Sequence, residues 1–304
     1  PPPHAPGRLD MTTATRSTGQ ASGSTPRRGF DWKRAALHGF LVAMAIVWLF
    51  PLLWAVYTSL RPFSDTAQNG YVSIAQTLTL NNYVNAWNDA ELIRYFANTA
   101  IIVVPAVILV LFLASILAFV LARYSFKFNL AMLLLFVALN MLPPQVLITP
   151  LYQVFRRFPG VLYDQYMGIM IIHIAFQLGF CAFVLSNYMK TLPKELNEAA
   201  LVDGASVWRT FRSIILPLTR PALAALAVLQ VTWIYNDFFW ALFLMSDGSK
   251  FPVTSALNNL KGQYFVDQNL VAAASLLVAL PTLIVFFALQ KQFVSGLTLV
   301  STKG

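Results

Sequence analysis

Six stretches of this chain are too long and too apolar to lie on the surface of a water-soluble fold. They run roughly over 36–60, 95–121, 130–152, 165–189, 221–245 and 270–290. A hydrocarbon layer about 30 Å thick is crossed by ~20 helical residues, so each stretch is long enough. Backbone N–H and C=O groups find no water there and must close their hydrogen bonds within a helix. The expectation is an all-α polytopic membrane protein with six transmembrane helices. Charge agrees: only 11% of the 304 residues are Asp, Glu, Lys or Arg, against about 25% in soluble domains. No small-residue cleavage site follows the first stretch, which reads as a retained helix and not as a signal peptide.

Basic residues set the expected orientation. With the N-terminus in the cytoplasm, 15 of the 21 lysines and arginines fall on the cytoplasmic side, and Arg61, Arg94, Arg156, Arg157, Lys250 and Lys261 fall outside. Both termini are therefore expected to be cytoplasmic. The pair Arg156–Arg157 runs against the bias. The net charge of +9 reads as anchoring to anionic headgroups. It does not read as nucleic-acid binding, because the aromatics are not interleaved with basic residues. Residues 1–33 are expected to form a disordered basic tail, with Met11 as a candidate start, and 34–304 the membrane domain. A single cysteine, Cys181, excludes a disulfide framework and a CxxC metal site. It reads as a small core residue.

Catalytic signatures are missing. There is no GxxxxGK[ST] phosphate loop, no HExxH and no GxSxG. Asp237 is the one formal charge within the six stretches, with His38 and His173 the other titratable candidates. Pro143–Pro144, beside Asn140 and Gln145, predicts that the third span is broken within the membrane. Asp237 stands among Trp233, Tyr235, Asn236 and Trp240. Such a set can stack on a sugar ring and bond its hydroxyls, and it can equally form an interfacial aromatic belt. A self-contained carrier or channel using Asp237 stays open as an alternative. Such a carrier calls for several intramembrane charges and for inverted repeats, and neither is evident.

One polar segment interrupts the apolar pattern: "KELNEAALVDGASVWRTFRSIILP", Lys194–Pro217. Leu196, Ala199 and Ala200 are expected on one face of a short helix that Gly204 ends in a left-handed turn. Ser206 can cap a second helix with Trp208, Phe211 and Ile215 as its apolar stripe, stopped by Pro217. Two short helices joined at a glycine have the shape of a docking element, and also of an ordinary amphipathic connector.

The segment resembles the EAA motif of bacterial ABC-importer permeases: EAA, three residues, G, nine residues, I, any residue, L, P. Glu198, Ala199, Ala200, Gly204, Ile214, Leu216 and Pro217 fill every fixed position, with Asp203 preceding the glycine. The wider chain resembles the carbohydrate (maltose-type, MalG-like) permeases from about residue 36 onward. "LTLNNYVNAWNDAELIRYFANTAIIV", "ARYSFK", "LPPQVLITPLYQVF" and "YNDFFWALFLMSD" carry that resemblance. Two departures are Tyr235, where the family tends to have Trp, and Val300–Ser301–Thr302 ahead of Lys303–Gly304.

The resemblance implies the ABC type I importer permease fold in a bacterial inner membrane, moving a di- or oligosaccharide. Loop 191–218 would be the coupling loop that docks on an ABC ATPase dimer. ATP and Mg would be bound by that ATPase, so this chain would hold no cofactor, no metal and no catalytic site. A second, MalF-like permease subunit and an extracytoplasmic sugar-binding protein complete the implied partners. Asn140, Gln145, Trp233, Tyr235, Asn236, Asp237 and Trp240 would line the substrate pathway. Asn258, Asn259, Lys261 and Gln263 would meet the binding protein.

Overall fold

The computed structural model describes residues 32–89, 91–260 and 266–301, with side chains left out at 259 and beyond 290. The expected disordered tail thus lies outside the described residues, apart from Trp32 and Lys33. The chain divides into two units, residues 1–50 and 51–304. The first unit holds the start of helix α1 (Trp32–Ser59), which carries Lys33 and Arg34 in its first turn and is apolar beyond them. His38 bonds the Arg34 carbonyl through Nδ1 at 2.6 Å.

The second unit is built around two long helices, α4 and α7. Helices α2 (Phe63–Asn69) and α3 (Asn81–Asp89) precede α4 (Leu92–Arg123). After α5 (Asn129–Asn140) and α6 (Pro144–Arg156) comes α7 (Tyr166–Thr191). Then follow α8 (Glu195–Val202), α9 (Val207–Leu218), α10 (Arg220–Asn236), α11 (Phe239–Leu244), α12 (Val253–Ala256) and α13 (Gln268–Ser301). Among the described residues there is no strand.

Small residues let α4 and α7 approach closely, as membrane helices require when lipid is as apolar as leucine. Ala106, Ala114 and Ala118 of α4 and Ala182 of α7 are fully buried. One end of this pair packs on Ile234, Tyr235, Trp240 and Leu244; the other packs on Phe211, Ile215, Ala222 and Leu226. Cys181 is a buried free thiol in the second cluster, as its apolar neighbours predict. Gly179 on α7 faces α5, where an added Cβ would meet Phe136 Cβ at 3.0 Å.

Among the described residues, four helices are each long and apolar enough to cross a membrane, and two bent pairs bring the total up to six. The third expected span is broken as the prolines predict, with α5 and α6 meeting at 94°. Pro143 is extended (φ −60°, ψ 126°), because the proline that follows disfavours a helical conformation there, and Pro144 opens α6. The expected continuous span at 221–245 is not continuous. It stops at Asn236 and resumes at Phe239. Nor does Pro217 stop the preceding helix. Pro217 lies within α9, after a π-turn at Phe211–Ile215, and the 72° bend to α10 falls at Thr219. Lacking an N–H, Pro217 is tolerated where the backbone pattern is already displaced. Thr219 Oγ1 donates to the Ile215 carbonyl at 2.7 Å, satisfying an acceptor at the corner.

The anomalous Arg156 has a local partner set. Its guanidinium lies 5.7 Å from the Tyr152 ring centroid and 5.3 Å from that of Tyr163, and it donates to Tyr152 Oη at 3.1 Å. Cation–π contacts of this kind hold an arginine at the end of an apolar helix.

Candidate functional site

The EAA segment folds as two helices around a glycine. Glu195 and Glu198 occupy the first turn of α8, where the helix dipole favours negative charge. Gly204 has φ +72°, a left-handed conformation that a Cβ would penalise. Ala205 N donates to the Ala200 carbonyl at 2.9 Å and Gly204 N to the Leu201 carbonyl at 3.1 Å. That pair of bonds is the Schellman ending of a helix. Ser206 then caps α9, its Oγ accepting from Arg209 N at 3.3 Å.

The segment is anchored by few residues. Phe211 and Ile215 are buried, with the Phe211 ring 5.3 Å from that of Phe119 on α4. On α8 the inward face is Ala200 with half-buried Leu196 and Asn197. Ala199 was expected on that face. It lies exposed with Glu198 and Asp203 instead, and Asn197, one turn before Ala200, takes the inward place. Ile214, Leu216 and Pro217 are half-buried. Among the exposed charged groups of the segment stand four apolar side chains: Leu201 is 56% exposed, Val202 88%, Val207 50% and Trp208 53%. Trp208 was expected in the buried stripe. It reaches Phe211 at 5.3 Å between ring centroids, yet half of it faces outward.

The second site is the break between α10 and α11. Asp237 is extended (ψ 127°), and its carboxylate accepts Trp240 N at 3.3 Å, capping α11. Its carbonyl accepts Thr254 Oγ1 at 2.8 Å, and Phe238's accepts Ser255 Oγ at 3.3 Å. Buried His173 of α7 places Nε2 3.7 Å from Asp237 Oδ2. The sequence offered these two groups singly; α7 brings them together.

The expected pathway residues separate into two groups. Tyr235 and Trp240 are core residues, 7% and 5% exposed. Tyr235 Oη donates to the Val278 carbonyl at 2.8 Å, and the Trp240 ring lies 5.3 Å from that of Phe176. Neither presents a stacking face, because α7 and α13 cover them. Trp233, Asn236, Asn140 and Gln145 are exposed. Trp233 packs one side on Phe180 at 5.2 Å, and Asn140 Nδ2 donates to the Phe176 carbonyl at 3.3 Å across the broken span. A cavity of about 260 Å³ lies there, between Phe136, Asn140, Leu147, Phe176 and Gly179.

Of the expected binding-protein contacts, Asn258 is exposed on a 3₁₀ turn. Lys261 and Gln263 lie outside the described residues, as does the side chain of Asn259. Two polar hubs that the sequence reading did not find hold the loops around them. Arg61, 1% exposed, donates to Asp65, to the carbonyls of Gly70, Tyr71 and Ser73, and to Ser73 Oγ. Asp164 Oδ1 accepts Ser246 N and Asp247 N at 2.9 Å each, with Lys250 Nζ 3.4 Å from Oδ2. Burial pushes the Asp164 carboxyl up, but the two amides and Lys250 outweigh it and hold its pKa below the usual range. Asn69 and then Arg61 do the same for Asp65. Among the described residues, no three His, Cys, Asp or Glu side chains are placed to hold a metal ion.

Comparison with known proteins agrees with this architecture. A probable ABC transporter permease protein of Pyrococcus horikoshii is 35% identical over 84% of this chain and 92% of its own length. The diacetylchitobiose uptake system permease protein of Streptomyces coelicolor is 30% identical over 88% of this chain and 89% of its own. A solved bacterial ABC transporter involved in the import of the acidic polysaccharide alginate contains a chain of the same fold. It has a TM-score of 0.73 at 20% identity and covers 86% of this chain and 97% of that one. Residues 111–298, which hold the EAA segment and the broken spans, match the profile of one transport family. The chain belongs to the binding-protein-dependent transport system inner membrane component family.

Proposed function

We propose that this chain is the permease subunit of an ATP-driven importer of a carbohydrate, a di- or oligosaccharide, in a bacterial inner membrane. The observation that carries the reading is the EAA loop. Its two helices turn at Gly204 and leave Leu201, Val202, Val207 and Trp208 exposed on a protrusion. An exposed apolar patch of that kind marks a surface built to be covered by a protein. The occupant is a separate ABC ATPase dimer, which binds ATP and Mg. Glu198, Ala199 and Asp203 meet it, Gly204 sets the angle of the protrusion, and Ile214, Leu216 and Pro217 pass its movement to α10.

The substrate class rests on the diacetylchitobiose relative, whose transported compound is a disaccharide derivative. Asn140, Gln145, Trp233 and Asn236 are the exposed groups suited to a sugar's hydroxyls and ring faces. Asp237 fixes the break beside them, and Tyr235 and Trp240 support it from the core. A sugar-binding protein docks at Asn258 and the segment after it, and a second, MalF-like permease completes the pathway. A self-contained carrier built on Asp237 has no support from the family.

The test is a pull-down of the full chain from its native membrane, with mass spectrometry and an ATPase assay. A second permease, an ATPase and a binding protein should co-purify, and the binding protein should then bind one of a panel of oligosaccharides. A chain recovered alone, without ATPase activity, would overturn the proposal.

A further inference from the structure

A second cavity lies where α4 and α7 end beside α8 and the start of α5. It holds about 660 Å³ and is walled by Arg123, Lys127, Lys190 and Lys194, with one carboxylate, Glu198. Four cations facing one anion form a strongly positive recess. Arg123 has a half-made bonding pattern: Nη1 donates to the Leu192 carbonyl at 3.2 Å. Among the described residues, its Nε and Nη2 are shut off from solvent and find no acceptor. A guanidinium left in that state is costly unless an anion completes it. The rim carries apolar groups, with Leu130 68% exposed and Phe126 38%. Arg123, Lys127 and Lys190 sit at or just beyond the ends of helices long and apolar enough to span a membrane, and Lys194 and Glu198 belong to the start of the docking helix α8.

We infer that this recess binds a phosphate group, carried by an acidic phospholipid whose acyl chains lie along Leu130 and Phe126. Basic pockets between membrane helices take anionic headgroups in this way. Arg123 supplies paired N–H donors, which suit phosphate oxygens. Lys127 and Lys190 supply mobile charge at the mouth. A free phosphate would satisfy the same cations but would leave the apolar rim uncovered.

The test uses the full chain in detergent with equal amounts of phosphatidylglycerol and phosphatidylcholine, and native mass spectrometry reads what is retained. Phosphatidylglycerol should be retained at least about ten-fold over phosphatidylcholine. Each lysine is worth up to about five-fold, so Lys127→Gln with Lys190→Gln should bring the two lipids close to equal retention. Both lysines are exposed, so the fold should survive, and an unchanged elution volume checks it. Equal retention of the two lipids, or an unchanged preference in the double variant, would overturn the inference. A further arm adds excess inorganic phosphate. Retained phosphatidylglycerol supports the lipid; its displacement, with phosphate retained in its place, would overturn the lipid and leave a soluble anion. If the double variant loses a co-purifying ATPase but keeps its lipid preference, the recess serves a protein carboxylate instead and the inference falls.

Discussion

The two ends of α4 are finished in opposite ways. Beyond Leu92 the loops close on themselves. All five N–H groups of Arg61 are taken by Asp65, Ser73 and three carbonyls. Asn98 Nδ2 donates to the Ser249 and Phe251 carbonyls, and its Oδ1 accepts from Tyr166 Oη at 2.7 Å. Both ends expose apolar side chains, Val72 and Ile74 at the first and Val202 and Trp208 at the second, but beyond Arg123 buried polar atoms of Arg123 and Asn197 are also unpaired among the described residues. A satisfied buried network gives rigidity; an unsatisfied one is stable only when something outside the chain completes it. The first end is therefore a frame whose polar groups are satisfied within the chain, and the second is a surface whose polar groups a partner completes.

The largest effect should come from breaking the frame. Arg61→Ala removes the charge partner of the buried Asp65 carboxylate, which keeps Asn69 Nδ2, and takes one donor from each of the Gly70, Tyr71 and Ser73 carbonyls. Removing one partner of a buried ion pair costs about 3–5 kcal/mol. Thermal unfolding of the purified chain should show a large loss of stability. Arg61→Lys should rescue little of it, because an ammonium has three donors and no planar fork. A variant as stable as the parent would show that the frame does not depend on this hub.

At the other end, substitutions should affect coupling more than folding. Gly204→Val forces a β-branched residue to φ +72°. Strain of ~1–2 kcal/mol or more is expected, and it falls on the turn that aims α8 against α9. Transport should be lost while the amount of chain in the membrane stays close to normal. Normal transport would remove Gly204 from the role of pivot. A smaller effect is expected for Trp208→Ala, which removes a half-exposed ring. Stability should change by less than ~1 kcal/mol. Recovery of the ATPase in a pull-down should fall several-fold, since buried aromatic anchors dominate interfaces. Equal recovery would separate Trp208 from the docking surface.

The two ends also differ in how far the sequence revealed them. The Gly204 turn and the Ser206 cap were legible because both bond within a few residues, and so was the break at Pro143–Pro144, which proline imposes locally. The break at Asp237 was not legible. It is held by Thr254 and Ser255, and nothing near Asp237 announces them. Tyr235 looked like a stacking face until its hydroxyl was seen to reach Val278 on α13. Ala199 and Trp208 were misplaced for a related reason. A face inferred from apolar spacing assumes that apolar side chains turn inward, and on a surface made for a partner they turn out. The Arg61 hub depends on carbonyls, which every residue has and no sequence pattern marks.

The smallest effect separates the ends by pH. Asp164 and Asp65 titrate below an ordinary aspartate in the folded chain. The unfolded value is about 3.9. A depressed folded pKa gives stability that is fully present above the unfolded pKa and is lost as pH falls through the folded one. Between pH 7 and 5 the frame should therefore not change. Only as pH falls below the ordinary aspartate range, through its depressed folded pKa, does the Asp164 carboxylate gain its proton and weaken as an acceptor for the amides of Ser246 and Asp247. Hydrogen-exchange protection of those two amides should fall. The amides of Gly204 and Ala205 bond helix carbonyls, which do not titrate, and should keep their protection over the same range. Asp164→Asn should remove the pH dependence at Ser246 and Asp247 and lower their protection at neutral pH. Loss of protection at Gly204 and Ala205 in step with Ser246 and Asp247 would mean that the two ends unfold as one, and that the frame does not stand independently of the docking surface.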